Sequence, residues 1–408
     1  MRILVATDQW FPDRMGGVAR VATDTARGWA ARGHEVVVIA PRHEGRSAEE
    51  VADEGGLRVL RALPRGRVPQ TLSDPAATRR CASRLAGNDF DVLVAHCSTA
   101  ADGLLSARLG LPLVYVFHAD AAREARYLRA NVGIGKRWLA AAAFERRLRH
   151  LTTRGLRAAT GVIVLSEFSR RLLSETSTEV ARTATLVPGG VDTSVFSPVG
   201  REDARARLEV APDTQLVFTA RRLEPRMGLE NLIASTLLLD DVPGLRVVVA
   251  GGGDAVALAS LRDRLGAGDR VELVGRISDD ELVLWHRAAD LFVLPTVAYE
   301  GFGLVTAEAL ASGTPVVGTR VGATPELIEP LDARLLARGT DPAALADAIR
   351  NGLRLATPAF RARCRDYAVS HLSWGSILPR WERVLAEAVV SATPERATAP
   401  AVRVLEKG

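Results

Sequence analysis

Two glutamates, Glu300 and Glu308, stand eight positions apart and are the residues of this chain best suited to chemistry. They lie between the apolar runs LFVLP and TPVVGT, which are typical of buried parallel strands, so the stretch predicts a strand–helix–strand unit. The glycine turn Gly301-Phe302-Gly303 separates them, which predicts Glu300 in the loop and Glu308 in the helix. Carboxylates at the carboxyl edge of such a sheet, beside a helix N-terminus, suit a ligand that carries both hydroxyls and phosphate.

Each glutamate has a functional and a structural interpretation. Glu308 is set among small apolar residues on a helix that packs on a sheet, where a carboxylate needs hydrogen-bonding partners. Two vicinal ribose hydroxyls would provide them, and Glu300 could likewise accept hydrogen bonds from sugar hydroxyls. The alternative is a glutamate that caps a helix N-terminus and is stabilised by the helix dipole.

In the first half of the chain, two further candidates follow strand-like runs: a pair of glycines and a histidine. Gly16-Gly17 lie between the run RILVATD and a helix, where backbone N–H groups can approach a phosphate or sugar closely. His118 ends the run LPLVYVFH, and its imidazole can bond a hydroxyl at either nitrogen. The structural alternatives are an ordinary strand–helix turn and a histidine bonded to a neighbouring loop.

The second half places arginines and glycines at similar points. Arg221-Arg222 follow the run TQLVFTA, and only one of them is expected to face a ligand, because neighbours on a strand point to opposite sides. Their guanidinium forks match phosphate oxygens, and Arg226 could add a second cation. Gly251-Gly252 end the run LRVVVA, and Arg276 follows RVELVG, where a nucleotide base could lie. Surface salt bridges and plain loops remain the alternatives.

The length of 408 residues and the alternation of strands and helices predict an α/β protein of two domains, with a junction near residues 185–198. No run of 18 uncharged apolar residues occurs, and the N-terminal MRILVATD enters a strand without a signal peptide. The three cysteines show no metal spacing and fit reduced packing residues. A cytoplasmic location is therefore expected.

Positive charge is concentrated in residues 123–157, which hold ten Lys and Arg against two Glu. The segment could dock on anionic lipid head groups, or it could be a solvated helical hairpin. No nucleic-acid motif accompanies it, so no nucleic-acid partner is expected.

Taken together, these residues resemble the retaining glycosyltransferases of family 4, which belong to the GT-B class. The resemblance runs from Met1 to about Leu385. Its most specific element is the E-x7-E arrangement in EGFGLVTAEALASGTPVV, followed by GATPEL. The Gly-Gly loop, VFHAD, SEFSR, VPGGVDTSVFSP, RRLEPRMG, GGGD and VGR occur in the family's order.

The resemblance implies a GT-B fold, with two Rossmann-like domains facing each other across a cleft and a C-terminal helix crossing back to the first domain. It divides the chain into an acceptor-binding domain at 1–197 and a nucleotide-sugar-binding domain at 198–370. The crossing helix is then 371–388, and residues 389–408 form a flexible tail.

The resemblance also implies roles for single residues. Glu308 would hold the ribose, and Glu300 would hold the hydroxyls of the donor sugar. Arg222 would neutralise the diphosphate, and His118 would touch the donor sugar. Gly16-Gly17 would close over phosphate and acceptor. The further donor-binding positions are Arg226, Gly251, Gly252, Arg276, Gly301, Phe302, Gly303 and Leu304.

The chain departs from the family pattern at two places. Met227 stands where the family usually has lysine, and a methionine cannot pair with phosphate. Arg226 is expected to supply the second cation from one residue away. Gly189 stands where the family usually has asparagine.

The resemblance implies a glycosyltransferase that retains the anomeric configuration, and we expect it to be metal-independent and to need no cofactor beyond its co-substrate. It would move a hexosyl or related sugar unit from a UDP-, GDP- or ADP-linked sugar to a small polar acceptor, such as a cyclitol or natural-product intermediate. One alternative is a phosphoinositide or lipid-linked acceptor at a membrane surface. A nucleotide-sugar epimerase of the same fold is another, and the oligomeric state is open.

Overall fold

The computed structural model describes residues 1–13, 16–43, 49–54, 56–64, 70–118, 122–123, 126 and 136–392. Contacts between residues divide the chain into two compact units. Unit 1 comprises Met1–Leu165, Arg170–Val187 and Leu378–Gly408, and unit 2 comprises Ser166–Ser169 and Pro188–Ile377. The chain passes from unit 1 to unit 2 between Val187 and Pro188.

Unit 1 is built on a sheet whose described strands run in the order β3-β4-β2-β1-β5-β6-β7-β8. Neighbouring strands are parallel, except for the antiparallel pair β3–β4 at one edge. The strands are β1 Arg2–Ala6, β2 Glu35–Pro41, β3 Glu50–Asp53, β4 Arg58–Leu63, β5 Val92–Ala95, β6 Leu113–Phe117, β7 Gly161–Val164 and β8 Thr185–Leu186. Every residue of β5 and β6 is buried, as a strand covered on both faces requires.

Helices alternate with these strands along the chain. They are α1 Gly17–Ala31, α2 Gln70–Arg84, α3 Ser98–Ser106, α4 Lys136–Ala158, α5 Glu167–Thr176 and α6 Thr178–Thr183. Helix α1 directs a regular stripe of small and apolar side chains inward, which is why it packs beside the sheet.

Unit 2 contains a parallel sheet with the described strand order β11-β10-β9-β12-β13-β14. The strands are β9 Gln215–Ala220, β10 Leu245–Ala250, β11 Val271–Gly275, β12 Leu291–Leu294, β13 Val316–Thr319 and β14 Leu336–Ala337. The helices are α7 Arg201–Arg207, α8 Leu229–Ser235, α9 Ala255–Arg264, α10 Asp279–Ala288, α11 Leu304–Ala311, α12 Thr324–Ile328, α13 Pro342–Leu355 and α14 Pro358–His371. Short 3-10 helices occupy Pro225–Met227, Thr236–Leu238 and Ala333–Leu335.

Helix α10 begins with the capping box that its sequence predicts. The Ser278 hydroxyl accepts from the backbone N–H of Glu281, and the Glu281 carboxylate accepts from the backbone N–H of Ser278 at 2.8 Å. The backbone N–H of Ser278, and its hydroxyl at 2.8 Å, both donate to the Glu281 carboxylate and so lower its pKa.

The last helix, α15 Trp374–Ala392, belongs to unit 1 from Leu378 onward. Leu378 fills a notch at Gly28, where an added Cβ would lie 2.4 Å from its Cδ1. The Trp381 ring meets Trp29 edge-on at 6.1 Å. A helix was expected over 371–388 and a tail from 389, so the helix continues four residues further than predicted, while residues 393–408 lie outside the described part.

Among the described residues, no helix combines the length and the apolar character that crossing a membrane requires.

Candidate functional site

Glu300 lies in the loop between β12 and α11, as predicted, and an arginine holds its carboxylate. Arg221 donates from Nη2 to Glu300 Oε2 at 2.5 Å and from Nη1 to Thr296 Oγ1 at 2.6 Å. Thr296 in turn donates to the same carboxylate oxygen at 3.1 Å. Only 6% of the Arg221 side chain and 12% of the Glu300 side chain are exposed. No described residue donates a hydrogen bond to Glu300 Oε1.

The backbone of Glu300 is fixed as tightly as its side chain. Ala323 donates its N–H to the Glu300 carbonyl at 2.9 Å. Gly322 adopts a φ of +64°, and an added Cβ would lie 2.2 Å from the Glu300 carbonyl oxygen. Glycine is therefore required at this position, both for its conformation and for the close approach.

Arg222 and Arg226 share one carboxylate. Arg222 pairs with Glu224 Oε1 at 2.9 Å, and 59% of its side chain is exposed. Arg226 donates from Nε to Glu224 Oε2 at 3.2 Å and from Nη1 to the Tyr299 carbonyl at 3.0 Å. Arg222 is thus the exposed cation of the pair Arg221-Arg222, whereas Arg226 ties its turn to the loop of Glu300. Whether either contacts a diphosphate stays a prediction.

Glu308 lies in helix α11, as predicted, and is 7% exposed. Its Oε2 is 3.8 Å from Nε2 of His286, a fully buried residue of α10. Burial lowers the pKa of His286 to about 3, so the imidazole is neutral near pH 7 and does not form an ion pair. The rings of Phe218 and Phe292 lie 5.4 and 5.1 Å from the imidazole.

The glycines after β10 lie where other groups approach closely. A Cβ on Gly251 would lie 1.6 Å from the Arg221 carbonyl oxygen, and one on Gly252 would lie 2.4 Å from Nε of Arg276. A side chain at either position would collide with Arg221 or Arg276. Glycine is therefore needed at both positions for packing, independently of any ligand. Arg276 itself is exposed.

Four of the predicted positions lie in the turn before α11 and at the start of that helix. Gly303, with a φ of +88°, is the N-cap of α11, and Leu304 is its first residue. Phe302 is buried, and its ring lies 2.9 Å from where a Cβ of Gly189 would be. The glycine at 189, where the family usually has asparagine, thus leaves room for Phe302. Gly301 is the half-buried residue that follows Glu300.

In unit 1, Gly16 is the exposed N-cap of α1 and Gly17 is its first residue. The loop before them is anchored by Arg61 of β4, which is 1% exposed. Arg61 donates to the carboxylates of Asp13 and Glu54, and Trp10 donates to Glu54 at 2.8 Å. This buried ionic network ties the start of the loop to the sheet.

His118 directly follows β6, as predicted, and it has a partner that the sequence did not reveal. His96 follows the neighbouring strand β5, and its Nδ1 lies 3.0 Å from Nε2 of His118. His96 is 2% exposed and stacks on Trp381 at 6.3 Å. Burial lowers the pKa of His96 well below its usual range and that of His118 to about 3.

The candidate residues thus form two groups, one in each unit. Sequence reasoning missed Arg221 as the partner of Glu300, as well as His96, His286 and Arg61. One signal was present for His96, which ends the run FDVLVAH as His118 ends its own. Residues 123–157, for which a membrane contact was one alternative and a solvated helical hairpin the other, fall partly outside the described residues. On α4 the structure shows exposed Leu139 and Phe144.

Comparison with known families identifies the chain. Residues 15–195 match the family described as Glycosyltransferase Family 4, and residues 200–371 match Glycosyl transferases group 1. The chain is 30% identical to D-inositol 3-phosphate glycosyltransferase of Acidothermus cellulolyticus, over 94% of this chain and 89% of that protein. This chain belongs to the family 4 glycosyltransferases. The resemblance given by the E-x7-E stretch is confirmed.

Solved structures share the fold of this glycosyltransferase. Sucrose-phosphate synthase from Thermosynechococcus elongatus superposes with a TM-score of 0.79 at 22% identity, covering 96% of this chain and 99% of that one. HepE from Anabaena, in complex with UDP-glucose, has a TM-score of 0.71 at 21% identity, covering 96% and 100%. The predicted fold class is confirmed, with two α/β domains built on parallel sheets as in GT-B enzymes.

Proposed function

We propose that this glycosyltransferase moves a hexosyl unit from a nucleotide-diphosphate sugar to a small polar acceptor of the cyclitol class. We further propose that it retains the anomeric configuration and uses neither a metal ion nor a further cofactor. The name of the Acidothermus relative, which specifies inositol 3-phosphate, supports a cyclitol acceptor. The UDP-glucose in the HepE structure supports a nucleotide-sugar donor.

The observation that carries the proposal is the Glu300 carboxylate. One of its oxygens is held by Arg221 and Thr296, while no described residue donates to the other. A buried carboxylate of this kind is an oriented acceptor for a hydroxyl, and a sugar supplies hydroxyls. The loop that carries it also meets Arg226, and the exposed Arg222 lies on the same turn.

The reaction breaks the bond between the anomeric carbon and the phosphate oxygen and forms one from that carbon to an acceptor oxygen. Negative charge grows on the leaving diphosphate, and Arg222 would stabilise it, with Arg226 as a second cation. Removing one such group typically costs about 3 kcal/mol of transition-state stabilisation. The acceptor attacks from the face that the leaving group departs, and its proton passes to the departing phosphate oxygen.

Transfer assays with the purified full chain test the proposal. UDP-glucose, GDP-mannose and ADP-glucose are each incubated with inositol 3-phosphate or free inositol, with and without EDTA. We expect one donor to yield a glycosylated cyclitol, insensitive to EDTA, with the donor's anomeric configuration by NMR. The Glu300→Gln variant should lose roughly 10- to 100-fold in kcat/KM, the range expected for the loss of a hydrogen bond to a charged group.

Other outcomes would contradict it. Conversion of the donor to an epimer without any use of acceptor would indicate the epimerase alternative. An inverted product, or a requirement for added divalent metal, would overturn those parts of the proposal. The conservative variant Glu329→Gln serves as a control, because Glu329 is an exposed residue of the same unit that pairs with Arg320, and it should transfer at the wild-type rate.

A further inference from the structure

His96 and His118 lie side by side at one edge of the unit 1 sheet and share a hydrogen bond. Strands β5 and β6 are parallel neighbours, so the residues that directly follow them, His96 and His118, emerge at the same edge. Their ring centroids are 5.2 Å apart, and His96 Nδ1 lies 3.0 Å from His118 Nε2. At this distance one of these two nitrogens donates a hydrogen and the other accepts it.

The surroundings of His96 decide the direction of this bond. Its second nitrogen, Nε2, is buried, and no described residue offers it a hydrogen-bond partner. If Nε2 carried the proton, an N–H group would be buried without an acceptor, which is rare in proteins because the lost hydration is not replaced. With the proton on Nδ1, the N–H is satisfied by His118 and only a lone pair is left buried.

The state of His118 follows from that of His96. Burial lowers the pKa of His118 to about 3, so its ring carries a single proton near neutral pH. Because its Nε2 accepts from His96, that proton must be on Nδ1. His118 then has an Nδ1–H group to offer a ligand, while its Nε2 accepts the hydrogen bond from His96.

We propose that His96 is a positioning residue that holds His118 in the Nδ1–H tautomer, so that His118 acts as a hydrogen-bond donor to a sugar or phosphate oxygen and cannot act as a general base. The ligand rests on the proposed function, whereas the tautomer rests on the geometry alone. The consequence for the reaction is that the proton of the acceptor hydroxyl does not go to His118. This fits a transfer in which the departing phosphate oxygen takes it.

Nitrogen-15 NMR of the full chain tests the tautomer directly. With only seven histidines in the chain, long-range proton–nitrogen spectra are tractable, and His118→Gln assigns the His118 signals by their loss. We expect the wild-type His118 to show the Nδ1–H pattern in the absence of any ligand. An Nε2–H pattern overturns the proposal.

Two substitutions of His96 separate hydrogen bonding from packing. His96→Phe keeps an aromatic ring for Trp381 but removes the donor, so His118 should lose the pure Nδ1–H pattern. His96→Asn places an amide N–H where Nδ1 was and should preserve the pattern. His371→Gln, an exposed histidine in unit 2, should leave the His118 signals unchanged.

Activity provides the second readout, with the sugar nucleotide that the wild type transfers in the assay above. His96→Phe should lower kcat/KM roughly tenfold, as expected for the loss of one oriented hydrogen bond, and His96→Asn should recover most of it. Wild-type activity in His96→Phe, or equal losses in both variants at equal thermal stability, overturns the positioning role.

The two proposals fail separately. The predicted tautomer without any transfer would leave the histidine pair standing and dismiss the enzymatic proposal. Transfer activity together with an Nε2–H tautomer of His118 would support the enzymatic proposal and dismiss the proposal on the histidine pair. If His96→Phe does not fold, the wild-type spectrum still decides the tautomer.

Discussion

Arg221 and Glu300 depend on each other because both side chains are largely withdrawn from water. A buried ion pair contributes little net stability compared with apolar groups, but removing one member leaves an uncompensated charge. Here Thr296 bonds both partners, which fixes the carboxylate in one orientation. The pair is therefore better understood as a device for orienting Glu300 than as a source of stability.

Replacing Arg221 by methionine should affect both folding and transfer. We expect the free energy of unfolding to fall by roughly 3 kcal/mol, because Glu300 is left buried without its counter-charge. We also expect kcat/KM to fall by at least 100-fold. Denaturant unfolding and steady-state kinetics measure the two effects.

The control for Arg221→Met is Arg334→Met, which removes an exposed arginine paired with Asp332 in the same unit. It should be close to wild type in both measurements, since exposed pairs contribute little. A wild-type kcat/KM in Arg221→Met would show that the orientation of Glu300 does not matter.

At the residue scale, the sequence predicted in which element a residue lies better than it predicted which side chain that residue bonds. The spacing of Glu300 and Glu308 around a glycine turn was enough to put one in the loop and one in the helix. It could not decide which of Arg221 and Arg222 turns inward, because the strand ends at Ala220 and its alternation stops there. The resemblance favoured Arg222, which the structure leaves as the exposed one.

At the scale of elements, the loop before helix α11 depends on a residue far away in sequence. Gly189 lies against Phe302 and Leu304, so the turn that carries Glu300 is packed on the segment that opens unit 2. Because the φ of Gly189 lies outside the left-handed region, its role is to leave space. Its identity therefore constrains the position of α11.

Gly189→Ala should disturb this loop by crowding. Its Cβ would lie 2.9 Å from two carbons of the Phe302 ring and 3.0 Å from Leu304 Cδ2. Such overpacking typically costs about 1–3 kcal/mol, and KM for the donor should rise as Glu300 shifts. Thermal unfolding and kinetics are the measurements.

Gly268→Ala is the matched control, because Gly268 lies in the same unit with no atom within 4 Å of an added Cβ. It should leave both stability and KM unchanged. Unaltered stability and kinetics in Gly189→Ala would mean that Phe302 yields without cost, and the packing argument would then be wrong.

Most of the longer strands and helices could be predicted from the sequence, but strands β3, β4, β8 and β14 were not. Each apolar run that was interpreted as a strand is one, because a parallel strand buried on both faces is continuously apolar. Strand β4 was missed because arginines interrupt its pattern. One of them, Arg61, is buried all the same, since Asp13 and Glu54 neutralise it, and periodicity cannot anticipate such a network.

At the scale of the whole molecule, buried neutral histidines make both units sensitive to acid. In unit 2, His286 has a pKa of about 3, although the Glu308 carboxylate is 3.8 Å away, because burial dominates. In unit 1, burial lowers the pKa values of His96 and His118. In the unfolded chain each would titrate near 6.5.

The sign of the effect follows from these pKa values. For His286 and His118, between pH 6.5 and about 3 the unfolded chain binds protons that the folded chain does not, so the free energy of unfolding decreases as pH falls. Each of these two histidines contributes at most about 1.4 kcal/mol per pH unit, or about 2 kcal/mol at pH 5. The lowered pKa of His96 acts in the same direction. Stability should be insensitive to these groups above pH 7.

Denaturant unfolding of His286→Phe between pH 7.5 and 4.5 tests this prediction. The free energy of unfolding of the variant should fall less steeply towards acid than that of the wild type. The difference in slope should be at most about 1.4 kcal/mol per pH unit, the value for one proton. His371→Phe, at an exposed position, should keep the wild-type slope. Identical slopes for His286→Phe and wild type would show that His286 titrates normally in the folded chain.

The assignment of Leu378 and the residues after it to unit 1 has a consequence for synthesis of the protein. Trp29 and the notch at Gly28 are covered by Trp381 and Leu378 of helix α15, which is synthesised long after the rest of unit 1. At about 5–20 residues per second, the ribosome needs on the order of 10 seconds or more after Val187 to deliver that cover. Until α15 is made, the apolar surface of unit 1 around Trp29 has no cover from it, and we expect a nascent-chain chaperone to bind there.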